Sequence, residues 1–242
     1  MTTVSHASYD ELAHEYYDPV AHPTCYNLNR LSRIFIERQL PEPWDSRNTL
    51  EVGAGSSAVA ATLHARGYTL HGLRITDGSD AMLRHSQRWT AHGATLARVP
   101  AAEISRGQPP ASLLVASLGD PYNTDAFWAE AWRAVEPGGR ILFTVPSFEW
   151  SVRFRGTQTP ESQLAEFALS DGRRMYVPSF VIPLSDQVYM MQQAGFMLTT
   201  FESLGAEVLH SDERRSSKLN VFQGEVSSIV WGFVLVRRRS LT

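Results

Sequence analysis

Cysteine is almost absent: Cys25 is the only one in 242 residues. No intrachain disulfide can form, and a reducing compartment such as the cytoplasm is expected. His22 and Cys25 make an isolated H-x-x-C pair, and a zinc site needs three or four ligands, so no metal is expected. Long apolar runs are also missing. The strongest one near the C-terminus, "IVWGFVLV", is far too short to span a bilayer as a helix. The N-terminal "MTTVSHASYDEL" lacks a basic region followed by an apolar stretch, so no secretory signal is expected either. Neither sign of charge dominates, since 22 basic and 25 acidic residues leave a net −3. That balance gives no electrostatic reason to expect nucleic acid or a membrane as a partner. Arg237-Arg238-Arg239 is a local exception, consistent with a solvated strand end. There is no internal repeat and no low-complexity tract.

What is present is enough for a full core: 43% hydrophobic and 10% aromatic residues in a length that suits one large α/β domain. Ser8 and Glu11 form a capping box that predicts a short helix from Tyr9, stopping before Asp18-Pro19. A second helix is predicted after Pro23, ending at Leu40-Pro41, and neither belongs to an evident sheet layer. From residue 48 the pattern alternates. "NTLEVG", "YTLHGLRITD", "ATLARV", "ASLLVASL" and "RILFTVP" read as strands; "SAVAATLHARG", "SDAMLRHSQRWTAHG" and "TDAFWAEAWRAVE" read as helices. Such alternation predicts a doubly wound parallel sheet. Beyond residue 150 it breaks: "QLAEFALSDGRRMYVPSFVIP" reads as two extended segments around Asp171-Gly172, a hairpin turn. A helix in "SDQVYMMQQAG" and two strands in "FMLTTFES" and "SSIVWGFVLVRR" complete the chain.

The chemistry starts at Gly53-Ala54-Gly55, a turn between a strand and a helix where backbone can approach a ligand closely. With Ala58 it satisfies the G-x-G-x-x-A dinucleotide fingerprint, so an NAD(P)-dependent oxidoreductase stands as an alternative. Asp77 ends the second strand and can accept both hydroxyl protons of an adenosine ribose, a group common to NAD and S-adenosylmethionine. Glu51 separates the two, because a carboxylate beside a pyrophosphate is repelled while an ammonium or sulfonium is attracted. A strand ending three residues earlier would put Arg74 in the ribose position instead. The reading with Asp77 lets Ser79 cap the next helix.

"LEVGAGSS", "ITDGSDAML", "ASLGDPYN" and "AWRAVEPGGRILFTVPS" resemble motifs I, II, IV and the post-IV segment of class I S-adenosylmethionine-dependent methyltransferases, over about residues 8 to 147. The resemblance implies a Rossmann-like seven-stranded sheet, order 3-2-1-4-5-7-6, with the last inserted strand antiparallel. It also implies N-terminal lid helices and a hairpin insertion after strand 5. The single domain then divides into a lid (1–45), a cofactor-binding core (46–147), a substrate-covering insertion (148–183) and a C-terminal helix and strand pair (184–242). The implied cofactor is S-adenosylmethionine, with S-adenosylhomocysteine as product. Its implied contacts are Glu51, Gly53, Ala54, Gly55, Asp77, Gly78 and Ser79, with Met82, Ala101, Ala102 and Glu103 near the adenine and Ser117 and Leu118 after the fourth strand. The chain departs from the motif at Ser57, which replaces a third glycine.

Methyl transfer needs alignment and exclusion of water, and a base only when the acceptor must lose a proton before attack. Asp120-Pro121-Tyr122 resembles the Asp-Pro-Pro-Tyr signature of enzymes acting on planar amino nitrogens, with one proline missing; the alternative is a plain turn. His14, Tyr16, Asp120 and Tyr122 are the catalytic candidates; Tyr17, His22, Trp150, Arg153 and Arg155 are the acceptor-binding ones. "SVRFRG" is read either as an anion-holding pair of arginines or as a strand with an exposed basic face. The expected partner is a small molecule such as a secondary metabolite, accepting at nitrogen or oxygen, with room for a homodimer. A non-catalytic or non-methylating S-adenosylmethionine-binding protein is the remaining alternative.

Overall fold

The structure is a computed structural model that describes residues 9–44, 48–155, 163–210, 213–222 and 228–239. Ser8, the serine of the capping box, lies outside the described residues. The core is a seven-stranded sheet of β1 (Thr49–Val52), β2 (Leu73–Asp77), β3 (Thr95–Arg98), β4 (Ala111–Ala116), β5 (Val135–Pro146), β8 (Phe196–Leu204) and β9 (Val230–Arg237). Strands β6 (Leu164–Ala168) and β7 (Arg174–Pro178) form a separate antiparallel hairpin around Asp171-Gly172. The sheet order is β3-β2-β1-β4-β5-β9-β8, with β9 antiparallel to both neighbours. Leaving out the hairpin, this is the order 3-2-1-4-5-7-6.

Local chemistry sets the element ends. Ser57 caps α3 (Ala58–Ala65), Ser79 caps α4 (Asp80–Leu83) and Thr124 caps α5 (Asp125–Ala134), each by accepting a bond from a backbone N–H of the first turn. Helix α5 buries Phe127, Trp128, Ala131 and Ala134 against β4 and β5. All but one of the six β4 positions are buried, as a central strand covered on both faces requires. Helix α7 (Leu184–Gln193) packs beside α5, and buried Asn123 joins them by bonding Gln187 and the Trp128 indole.

Four elements differ from their expected form. The first helix, α1 (Tyr9–Leu12), is a single turn, and Ala13–Tyr17 continue as turns. The second, α2 (Pro23–Gln39), is part of the sheet's cover rather than outside it. Its Phe35 ring rests on Gly232 of β9, where a Cβ would lie 2.4 Å from the ring. The helix predicted after β2 is one α-turn followed by a 3-10 segment, Arg84–His92, closed at Gly93 with φ +98°. "SVRFRG" is not a strand: Phe148–Arg155 forms helix α6, burying Trp150 and Ser151 and leaving Arg153 outside.

Candidate active site

The turn after β1 has a positive φ at every second residue: Gly53 at +59°, Gly55 at +46° and Ser57 at +48°. The groups that come close to these glycines are tyrosines of the chain itself. A Cβ on Gly53 would lie 2.6 Å from the Tyr122 ring, and one on Gly55 would lie 1.9 Å from the Tyr17 hydroxyl. Tyr17 Oη accepts the Ser56 N–H at 2.9 Å, and Tyr122 Oη donates to the Val52 carbonyl at 2.9 Å.

Ser57 holds the glycine-like conformation by using its side chain twice. It accepts the Ala60 N–H at 2.9 Å and donates to Glu51. Glu51 is fully buried and also accepts the Val59 N–H at 3.2 Å. Burial pushes its carboxyl up to about 7, against the bonds from Ser57 and Val59 that favour the ionised form. The Glu51 carboxylate therefore serves the start of α3, and it borders neither of the two cavities described below.

Asp77 ends β2, and its two oxygens accept the Gly55 N–H at 3.0 Å and the Ser79 N–H at 2.9 Å. Desolvation raises its pKa, partly offset by those two amides. Arg74 points to the other end of the strand, donating to Gln108 and to the Pro109 carbonyl, so the alternative strand register is not the one adopted.

A cavity of about 360 Å³ opens over this turn. Gly53, Ala54, Asp77, Gly78, Ser79 and Met82 line it, and Ser117 and Leu118 close its far side. Gly55 shapes the turn without lining the cavity. Ala102 and Glu103 are exposed, and Glu103 pairs with Arg106; Pro100 and Ala101, just before them, take the wall position. The 3-10 turn Ala101–Glu103 explains the offset, because it swings the two later side chains outward. Sequence reasoning missed Asp10, Asn29 and Arg98 on this wall. Asp10 had one usable signal: an acid in the first turn of a lid helix, which here bonds Ser79 Oγ at 2.6 Å and the Ala81 N–H at 3.1 Å.

A second cavity, of about 420 Å³, adjoins the first, and Tyr9, Tyr16, Leu118 and Pro121 border both. Leu118 has φ +49°, an uncommon conformation for leucine, and Thr144 clamps the turn. Its hydroxyl accepts the Leu118 N–H and its carbonyl the Gly119 N–H, both at 2.8 Å. Burial raises the pKa of Tyr9 and Tyr16 well above the usual phenol value, so both hydroxyls stay protonated.

Asp120, His22, Trp150 and Arg155 line the second cavity, along with Phe154 and Phe167. Asp120 is buried and accepts the Ser179 hydroxyl, while Arg155 Nη1 donates to that same hydroxyl oxygen at 2.6 Å and to the Ser179 carbonyl at 3.0 Å. Desolvation raises the Asp120 pKa, and the Arg155 charge opposes it. The remaining candidates are elsewhere. His14 has a side chain 65% exposed, with Nδ1 2.8 Å from the Glu11 carbonyl, and it borders neither cavity. Arg153 is on the outer face of α6, and Tyr17 and Tyr122 border the first cavity, not the second. Among the described residues, no group of three or more His, Cys, Asp or Glu could hold a metal ion, and no helix is long and apolar enough to cross a membrane.

No protein-family model matches the sequence, and no curated protein matches it. Solved structures do. An S-adenosylmethionine-dependent methyltransferase from Clostridium acetobutylicum superposes with a TM-score of 0.61 at 12% identity, over 95% of this chain and 99% of that one. The CcbJ methyltransferase from Streptomyces caelestis gives 0.59 at 15% identity, over 95% and 97%. The chain has a Rossmann-like methyltransferase fold. A third structure with this fold is the 1,6-didemethyltoxoflavin-N1-methyltransferase of Burkholderia thailandensis, with 1,6-didemethyltoxoflavin and S-adenosylhomocysteine bound. It gives a TM-score of 0.55 at 14% identity, over 94% of this chain and 86% of that one. Against the methyltransferase fold, the first cavity lies at the carboxyl ends of β1, β2 and β4, where open α/β sheets hold their ligands.

Proposed function

We propose that this protein transfers the methyl group of S-adenosylmethionine to a small-molecule acceptor, leaving S-adenosylhomocysteine. The observation that carries this reading is the pair of cavities with a common border at Tyr9, Tyr16, Leu118 and Pro121. In-line methyl transfer needs two molecules held end to end with water excluded, and two adjoining chambers provide that arrangement.

The first chamber fits the cofactor. Asp77 offers a carboxylate for ribose hydroxyls, Met82 and Ala101 offer an apolar flank for a flat base, and Gly53-Ala54 offers open backbone. A pyrophosphate suits it less well, because Asp10 and Asp77 both border it and Arg98 is paired with Asp80. The methyltransferase fold of the toxoflavin-type enzyme and the near-neutral charge favour a metabolite over a nucleic acid as acceptor. In this reading the described part of the N-terminal segment closes over both chambers, and α6 and the β6–β7 hairpin cover the second, with nitrogen or oxygen as the accepting atom.

Calorimetry tests the cofactor. S-adenosylhomocysteine is expected to bind and NADP is not; tight NADP binding with no response to S-adenosylhomocysteine overturns the reading. Transfer of labelled methyl from S-adenosylmethionine to a small-metabolite extract separates an enzyme from a protein that only binds the cofactor.

A further inference from the structure

We propose, building on the methyltransferase reading, that His22 held by Glu15 is the general base of the second chamber, and that the acceptor is a flat, aromatic hydroxyl compound of the phenol class. His22 stands at the N-cap of α2, yet its side chain makes no capping bond to the helix. It is only 7% exposed and borders the chamber. Its Nε2 lies 3.3 Å from Glu15 Oε1, both side chains are buried, and the contact helps to hold the Glu15 carboxyl below its ordinary pKa. A buried imidazole held at one nitrogen by a buried carboxylate is equipped to accept a proton and to stabilise the resulting cation.

The other ionisable groups of the chamber are accounted for. Asp120 is engaged by Ser179 and opposed by Arg155. Glu166 pairs with Arg174 at 3.2 Å and is bonded by Tyr176. Lys218 lies 5.3 Å over the Phe154 ring. Burial pushes the Cys25 thiol up to about 12 and keeps Tyr9 and Tyr16 protonated. His14 sits behind Glu15, 4.0 Å from its second oxygen and mostly in solvent. His22 is the chamber's available base.

A neutral amine attacks first and loses its proton afterwards, whereas a phenol needs its proton removed as it attacks. Here the acceptor O–H breaks with the proton passing to His22. The oxygen bonds the methyl carbon as the carbon–sulfur bond breaks, and its electron pair goes to the sulfur of S-adenosylhomocysteine. The rings of Tyr16, Trp150, Phe154 and Phe167 suit a flat acceptor.

The test uses 4-methylphenol and 4-nitrophenol with the full chain, wild type and His22→Asn, His22→Gln and Glu15→Gln. For 4-methylphenol, His22→Asn is expected to lower kcat by about 100-fold, the lower range for acid–base catalysis, with little change in KM. For 4-nitrophenol, already ionised at mildly alkaline pH, the loss is expected to be under about threefold, since no proton remains to be removed. An equal loss for both phenols, or methylation of amines but of neither phenol, overturns the proposal. So does transfer to neither class. A second readout needs no turnover: the absorbance of 4-nitrophenol bound with S-adenosylhomocysteine should show a lowered phenol pKa in wild type, lost in His22→Asn and reduced in Glu15→Gln. An unshifted phenol in wild type also overturns it. Calorimetry with S-adenosylhomocysteine, unchanged in all variants, keeps the two readings apart: failure there in wild type defeats the cofactor reading, while failure of the phenol experiments alone defeats only the base.

Discussion

The two chambers are built from different materials. The first has a floor of backbone and strand ends, with Gly53-Ala54 of the turn, Asp77 at the end of β2 and Ser117-Leu118 at the end of β4, and side chains of the N-terminal segment such as Asp10 and Tyr17 border it. The second is made of side chains brought together from the N-terminal segment, α2, α6 and the β6–β7 hairpin. Backbone fixed by a parallel sheet has little freedom to change what it binds. Side chains from loops and insertions can be exchanged one at a time, so specificity can vary there without disturbing the sheet. It follows that substitutions around the second chamber should act on stability and acceptor choice, and those around the first on cofactor affinity.

The strongest test of that contrast is Arg155→Ala. It removes two charged bonds to Ser179 and the charge that opposes the raised Asp120 pKa, and the expected destabilisation is about 3 kcal/mol, at about 1.5 kcal/mol or more for each charged bond, measured by urea unfolding. A midpoint shift too small to resolve would mean that Arg155 does not compensate Asp120. For the first chamber, Asp77→Ala is expected to weaken S-adenosylmethionine by about 1.5–3 kcal/mol in calorimetry. Asp77→Asn keeps an acceptor for only one of the Gly55 and Ser79 amides, so an unchanged melting temperature in each variant is the control against mistaking a damaged turn for a lost contact.

Glu51 tests the turn through pH. Its folded pKa of about 7 lies above the ordinary 4.5, so the folded chain holds a proton that the unfolded chain releases. Stability from this group is present below 4.5, falls as pH rises to about 7 and then levels off. The span is up to about 3 kcal/mol, and Glu51→Gln should flatten that part of the melting-temperature profile. A slope unchanged in the variant would assign the proton elsewhere. The smallest effect is expected for Ser57→Gly. Relief of a left-handed serine, about 1–2 kcal/mol, is set against the lost cap and the lost donor to Glu51, leaving a net change within about 1 kcal/mol.

The contrast also explains what could be read in advance. The order of strands, the glycine turn, Asp77 and the Ser79 cap follow from short local patterns, in which spacing along the chain maps directly onto position in the sheet. Ala102 and Glu103 were off by one or two residues because a 3-10 turn rotates side chains in a way that spacing does not report. In sequence His14 was the catalytic candidate and His22 an acceptor-binding one; the turns after α1 leave His14 in solvent and His22 on the chamber. Helix α6 was open to a strand reading because aromatics and arginines alternate in "SVRFRG", and tertiary packing of Trp150 decided against it. Glu51 was read as a ligand-facing charge, and the structure uses its carboxylate to start a helix.

Glu15 touches more than His22. Both of its oxygens lie 3.2–3.3 Å from the Ser170 amide, in the turn of the β6–β7 hairpin. One carboxylate thus latches the N-terminal segment to the insertion. Releasing that latch frees the Ser170 proton to exchange with water, so the exchange rate of a single amide is a clock for how often the two covers part.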